Sequence, residues 1–402
     1  AEVAGAALPP HLALLFPPLL AAMGSDNAEE AEAASGAAAA VLRWTPQEAA
    51  HLLLPEVLSG LTDDRPTVRA AAAKLCGVFA KEAPCFDEED DVPQFITSLF
   101  ELFTDPDERA MTAAWSALGE VMSAVPKDEQ ANYLLSVRTA VDTAREHVRR
   151  RDRNARELLV PALCLPKGLA PIVQVYLQGV LSGKHAEERE AAAEGLRMAV
   201  MSTTTEAIKP HVIPITGPLI RILGDKYPGA VKSAILGALA VMIEKGGVAL
   251  KPFVPQLQTT FVKCLSDGAR PVRQRAAAAL GRLMTLQPRV DPLVGDLLTG
   301  LKGATDRGVR EAMLRALAGV FAHAGKGVTA PNLARAKLEV GDTLAAAADE
   351  GTRGAAALAL AHVAAWLTEE ERIALLEELG GDAAGVDGEE REGRAAALSA
   401  FA

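Results

Sequence analysis

Aromatic side chains make up only 4% of the 402 residues, although half of the chain is apolar. The apolar content is mostly Ala, Leu and Val, which suits tightly packed helices and poorly suits a β-sandwich. The four cysteines (Cys76, Cys85, Cys164 and Cys264) are scattered without a C-x-x-C pair, which reads as a protein of a reducing compartment. The seven histidines stand singly, with no H-E-x-x-H and no close metal-ligand pair. No G-x-x-x-x-G-K-[ST] loop, G-x-G-x-x-G turn or G-x-S-x-G elbow occurs. The expectation is therefore a protein that is not an enzyme and takes no cofactor, metal or small-molecule substrate. No uncharged apolar run reaches the roughly 18 residues of a membrane span, so no membrane partner is expected. Residues 12–23 share the apolar character of a signal-peptide core but lack a basic leader and contain Pro17-Pro18. A net charge of −11 argues against general nucleic-acid binding and leaves room for a local basic patch.

What the chain does have is a recurring small or β-branched residue followed by a cation, just after an acidic loop. It reads Thr67-Val68-Arg69, Pro271-Val272-Arg273 and Gly308-Val309-Arg310, with looser forms at Arg109, Arg189, Lys232 and Arg353. The interval is roughly 40 residues or a multiple of it, the period of a HEAT-type pair of helices. Behind each cation runs one apolar stripe of helical period: Val68, Ala72, Leu75, Cys76 and Phe79; Val272, Ala276, Leu280 and Leu283; Val309, Met313, Leu317, Val320 and Phe321. The preceding helices carry proline (Pro17, Pro55, Pro214, Pro218, Pro255), which removes a backbone bond and bends the rod. The pattern predicts an all-α HEAT-repeat solenoid of about ten helix pairs, continuous over residues 1–402. Asp63, Asp225, Asp267 and Asp306 are placed to cap second helices, and each following Arg to bridge to the Asp of a neighbouring repeat.

One stretch breaks step. Residues 149–167 are Arg-rich and then proline-flanked, and no second helix fits there, so an irregular basic insertion is expected. Arg149, Arg150, Arg151, Arg153 and Arg156, with Arg145 one turn earlier, can neutralise several phosphates; ribosomal RNA is the matching partner, and a solvated loop is the competing reading. No aromatic interleaves, which argues against base stacking. The acidic run Asp87–Asp91 lacks the spacing of a calcium loop and reads as a lead into a helix N-terminus. The Ala/Gly-rich stretches 28–40 and 380–395 are expected to fray. On a solenoid, positions beside the anchor cations face outward, so Lys232, Arg270 and Arg275 are expected to form a basic strip on which a small domain docks.

Several segments exceed the repeat pattern. PITGPLIRILGD (Pro214–Asp225), ALKPFVPQLQTTFVKCLSD (Ala249–Asp267) and the run from Arg275 to Leu317 resemble the C-terminal HEAT region of the general-control translational activator. Weaker likeness continues to LCLPKGLAPI (Leu163–Ile172) and WLTEEE (Trp366–Glu371), with the good match spanning roughly 160–320. The resemblance implies a cytosolic, ribosome-associated scaffold. It further implies binding of the RWD domain of the amino-acid-starvation kinase of initiation factor 2 and promotion of its activity. Lys226 is the nearest positional match to the kinase-binding basic residues of that family, with Lys232 and Phe261 next. The alternatives are a ribosome- or RNA-docking scaffold without kinase binding, and a generic HEAT interaction scaffold.

Overall fold

The computed structural model describes residues 7–46, 49–84, 86–223, 227–287, 289–380 and 388–401, and no strand occurs among them. The chain divides into two compact units, Ala1–His211 and Val212–Ala402.

In the first unit, α1 (Leu12–Met23) pairs with α2 (Ala28–Trp44), α3 (Ala50–Ser59) with α4 (Pro66–Glu82), and α5 (Glu88–Glu101) with α6 (Glu108–Ala124). Then α7 (Leu134–Arg151) stands without a second helix, followed by the pair α8 (Ala170–Ser182) and α9 (Ala186–Met201) and the short α10 (Thr205–Ile208). First helices stack on first helices (α1, α3, α5, α7) and second on second (α2, α4, α6). The second unit is more regular. It holds α11 (Val212–Leu223) with α12 (Gly229–Gly246), α13 (Val254–Cys264) with α14 (Arg270–Leu283), and α15 (Asp291–Gly303) with α16 (Arg307–Ala324). The last two pairs are α17 (Ala330–Ala345) with α18 (Glu350–Ala364) and α19 (Glu369–Gly380) with α20 (Gly388–Phe401). The described residues thus hold nine pairs, the unpaired α7 and the one-turn α10, against about ten pairs expected.

The apolar stripes are the core. Val68, Ala72, Leu75, Cys76 and Phe79 are buried, as are Val272, Ala276, Leu280 and Leu283; only Val309 of the third stripe is partly exposed. Small residues set the spacing of second helices. A Cβ built on Gly281 would lie 2.9 Å from the Cα of Gly319 in the next second helix, so the two backbones cross in near contact. Pro17, Pro55 and Pro218 lie inside first helices, as does Pro93 in α5. Pro255 instead occupies the first turn of α13, where a missing N–H costs nothing.

The acidic residues between helices act in two ways. Asp306 caps α16, accepting from Val309 N at 2.9 Å, and Asp107, Asp87 and Asp349 cap α6, α5 and α18. Asp63 and Asp267 do not cap; they sit two residues ahead of the N-cap and close the turn by accepting from Arg65 N (2.8 Å) and Ala269 N (2.9 Å). Asp225 lies outside the described residues. Residues 28–40 belong to a regular helix. Asn27 accepts from Glu29 N at 3.0 Å to start α2, and burial of Ala34, Ala38, Val41 and Leu42 holds it. Of 380–395, residues 381–387 lie outside the described set and α20 takes up the chain at Gly388.

The repeated cation is a clamp. Arg69 reaches back to the carbonyls of Asp63 (2.8 Å) and Asp64 (3.0 Å) and forward to both carboxylate oxygens of Asp105 at 2.8 and 3.0 Å. Arg273 repeats this on Asp267 O (2.8 Å), Gly268 O (3.0 Å) and, one repeat on, Gly308 O (3.1 Å). Arg310 and Arg353 also reach back, to Ala304 O and Ala347 O, six residues behind each. A guanidinium can satisfy several acceptors at once, and carbonyls at the end of a first helix carry the negative end of its dipole. Arg109 departs from the rule. It turns onto Asp107 at 3.2 Å and stays exposed, because it stands two residues after the N-cap of α6, whereas Arg69 and Arg273 stand four after theirs; Met111 occupies the clamp position in α6.

Candidate partner-binding surfaces

The cations predicted to face partners have different fates. Lys226 lies outside the described residues. Lys232 does not stand free: its Nζ is 3.0 Å from Asp267, with both side chains over four-fifths buried, so it is the clamp between α12 and α14. The Asp267 carboxyl is pushed up by burial, but the Ala269 N–H and the Lys232 ammonium outweigh this and hold it below the usual carboxylate range. Phe261 is fully buried and cannot meet a partner; it continues the stripe of Val254, Leu257 and Cys264 on α13. Arg270 is exposed, with Glu311 of the next second helix 3.6 Å away. Arg275 is exposed and donates to Ser233 O at 2.8 Å. Of the five residues, only Arg270 and Arg275 remain as described surface cations.

Other cations escaped the repeat pattern. Arg221, Lys263 and Lys302 each lie in the last turn of a first helix (α11, α13, α15), are exposed, and make no ion pair among the described residues. Their position favours positive charge at the negative helix end, which is reason enough for a cation there without a partner. The sequence signal that locates them is a segment tally. Residues 212–338 hold 18 Lys and Arg against 7 Asp and Glu, in a chain whose totals are 41 and 52. This is a strong local inversion of sign.

The arginine cluster lies in the first unit. Arg149, Arg150 and Arg151 do not belong to a loop; they form the last turn of α7, and the irregular stretch begins at Asp152. Arg149 and Arg150 share Glu146, at 3.5 and 3.4 Å, while Arg151 donates to Thr104 O. Arg145 is buried, donating to Ser202 Oγ at 2.6 Å, and burial pushes its guanidinium below the usual value. Arg153 and Arg156 are exposed on the irregular stretch. That stretch is anchored further on: Val160, Ala162 and Leu163 are fully buried and Val160 N donates to Ser202 O at 2.9 Å.

Stacked helix pairs, a periodic arginine clamp and cations left over on outward positions define a HEAT-repeat protein, a class that presents surfaces to other macromolecules. Two family profiles described as "Stalled ribosome sensor GCN1-like, HEAT repeats" match residues 1–167 and 291–401, and a HEAT-like repeat profile matches 228–283. The chain is 48% identical over 328 residues to Protein ILITYHIA of Arabidopsis thaliana, covering 82% of this chain and 12% of that protein. It is 34% identical over 405 residues to Stalled ribosome sensor GCN1 of Homo sapiens, covering 99% of this chain and 15% of that one. It is 37% identical over 330 residues to eIF-2-alpha kinase activator GCN1 of Saccharomyces cerevisiae, covering 81% and 12%. The chain belongs to the GCN1-like HEAT-repeat family and spans under one sixth of the length of these curated relatives. The profile matches take in both flanks of the 160–320 stretch that carries the strongest segment likeness.

Proposed function

We propose that this chain is a scaffold segment of a ribosome-associated, cytosolic regulator of translation, and that its second unit binds the RWD domain of the initiation factor 2 alpha kinase and promotes its activation under amino-acid starvation. The reading is supported by relatives named as a stalled ribosome sensor and as eIF-2-alpha kinase activators. The observation that carries it is the basic excess over residues 212–338, which exposes Arg221, Lys263, Arg270, Arg275 and Lys302 in an otherwise acidic chain. Such cations steer and orient an acidic domain. Lys226 stays within the proposal, whereas Lys232 and Phe261 serve the stack. The test is capture of a purified RWD domain by the whole chain and by an Arg270→Glu/Arg275→Glu variant. Weakened capture with an unchanged melting curve supports the reading; undiminished capture removes this surface from it.

A second contact is proposed for ribosomal RNA at Arg149, Arg150, Arg151, Arg153 and Arg156, favoured by the exposure of Arg153 and Arg156. Phosphate binding through such residues weakens steeply with salt, so ribosome co-sedimentation insensitive to ionic strength would discard it.

A further inference from the structure

Among the described residues, Lys167 alone of the non-glycine residues has a positive φ, 60°. That left-handed region favours glycine, and to a lesser degree asparagine, over a side chain such as lysine. Lys167 stands third in the turn Leu165-Pro166-Lys167-Gly168, which is closed by Gly168 N to Leu165 O at 2.8 Å. Proline second and a positive φ third make this a type II turn, whose third position belongs by preference to glycine. The turn is bolted in place. Trp115 of α6 donates its indole N–H to Gly168 O at 3.0 Å, Ala170 N donates to Lys167 O at 2.7 Å, and the His211 ring hydrogen-bonds to the Lys167 backbone. A Cβ on Gly168 would lie 1.9 Å from Leu163 O, so that position has to be glycine. Nothing comparable requires lysine at 167: the side chain is exposed and forms no ion pair among the described residues. Strain enforced by the surroundings, under a side chain that holds nothing in the fold, points to a use for that side chain.

The connector that ends in this turn begins at the basic last turn of α7, and both of its ends are tied to one corner. Arg145 of α7 donates to Ser202 Oγ at 2.6 Å, Val160 N donates to Ser202 O at 2.9 Å, and Thr203 Oγ1 donates to Leu163 O. Arg151 donates to Thr104 O, and the short helix Leu102–Thr104 packs against Pro161–Cys164, which leads into the turn. Residues 149–169 expose Arg149, Arg150, Arg153, Arg156 and Lys167, with Asp152 and Glu157 as their only carboxylates. Between Leu135 and Ile213 no large apolar residue is exposed. The stretch therefore lacks the apolar anchors on which protein interfaces rest, whereas a phosphate backbone needs charge alone. From this we infer that Lys167 is a further phosphate-contact residue, held out by its strained turn as a fixed point charge beside the longer arginines. The inference rests on the ribosomal-RNA contact proposed for Arg149–Arg156 and adds the cation at the far end of the same connector.

The test is co-sedimentation of the whole chain with purified ribosomes over a potassium chloride series, with a circular dichroism melt of each variant. Lys167→Gly should weaken binding at least about threefold at about 0.1 M salt and lower the slope of log Kd against log salt by about one, while Lys167→Arg keeps both. The melting temperature of Lys167→Gly should hold or rise, because glycine takes the left-handed region without strain. Purified ribosomal RNA should displace the unmodified chain from ribosomes. Full binding by Lys167→Gly, alongside weakened binding by an Arg153→Glu/Arg156→Glu variant, would overturn the inference and leave the arginine contact standing. Salt-insensitive binding of the unmodified chain would overturn both. A lower melting temperature for Lys167→Gly would make the lysine structural, and failure of ribosomal RNA to compete would give the turn to a protein partner; either result overturns the inference.

Discussion

The clamp between Arg69 and Asp105 should be worth far more than its resemblance to a surface ion pair suggests. The two side chains retain 15% and 7% of their exposure and meet through two hydrogen bonds. Asp105 also accepts from Asp107 N at 2.8 Å, holding the turn that starts α6. Removing the carboxylate by Asp105→Ala leaves Arg69 its two backbone acceptors but strips the opposing charge. Breaking a fully buried pair costs about 3–5 kcal/mol, and the retained carbonyls and partial exposure bring the expectation to about 2–3 kcal/mol. Arg43 and Glu82 provide the control. They also join successive second helices, at 2.6 Å, but with 57% and 39% exposure, so Glu82→Ala should cost under about 1 kcal/mol. Amide hydrogen exchange over residues 63–69 and 105–111 reads the difference. Opening should become roughly 30- to 150-fold more frequent in Asp105→Ala and rise by less than about fivefold around Glu82→Ala. The double variant with Arg69→Ala should lose little more than either single one, with a coupling of about 2 kcal/mol. Equal effects of Asp105→Ala and Glu82→Ala, or additive losses in the double variant, would refute the claim that the clamp holds the repeats in register.

Other outcomes follow from the same geometry. The folded Asp267 carboxyl lies below its unfolded value, so its stabilisation is complete above the usual carboxylate pKa of about 4 and is lost as pH falls through the lower folded value; acid should loosen the α12–α14 contact, and Asp267→Asn should flatten that dependence in hydrogen exchange. Phe261→Ala should destabilise the second unit by about 3–5 kcal/mol in urea melts, whereas a surface role would leave the melt unchanged. Gly281→Leu should cost at least about 1–3 kcal/mol because the Gly319 backbone is in its way, while Gly119→Leu should leave the melting temperature unchanged or raise it.

The repeat was legible because it is written in local chemistry. An apolar stripe at helical period and a cation at the start of each second helix require no knowledge of distant contacts; Arg69 bridges to the next repeat's Asp105 as that reading requires, whereas Arg273 grips the Gly308 carbonyl in place of a carboxylate. The break after α7 was legible for the same reason, although the basic turn proved helical to Arg151 because the helix runs on to the Asp152 C-cap. What stayed hidden depends on partners far along the chain. Lys232 looks like a free surface cation until Asp267, 35 residues on, is brought beside it. Phe261 could have been placed correctly: Val254, Leu257 and Cys264 put it on the buried stripe, and the likeness of its segment to a binding region obscured that. The open space at Gly119 was beyond sequence reasoning, since Gly77 and Gly119 look alike until their surroundings are built.

Cations such as Arg69 and Arg273, which hold the helix behind and the repeat ahead, make the stretches they span behave as a spring with coupled coils. Tension applied to α4 passes through Arg69 to the α6 turn, but Arg109 hands nothing onward. Under pulling force the first unit should therefore yield at α7 before its clamped repeats separate, giving the fold a built-in place to bend.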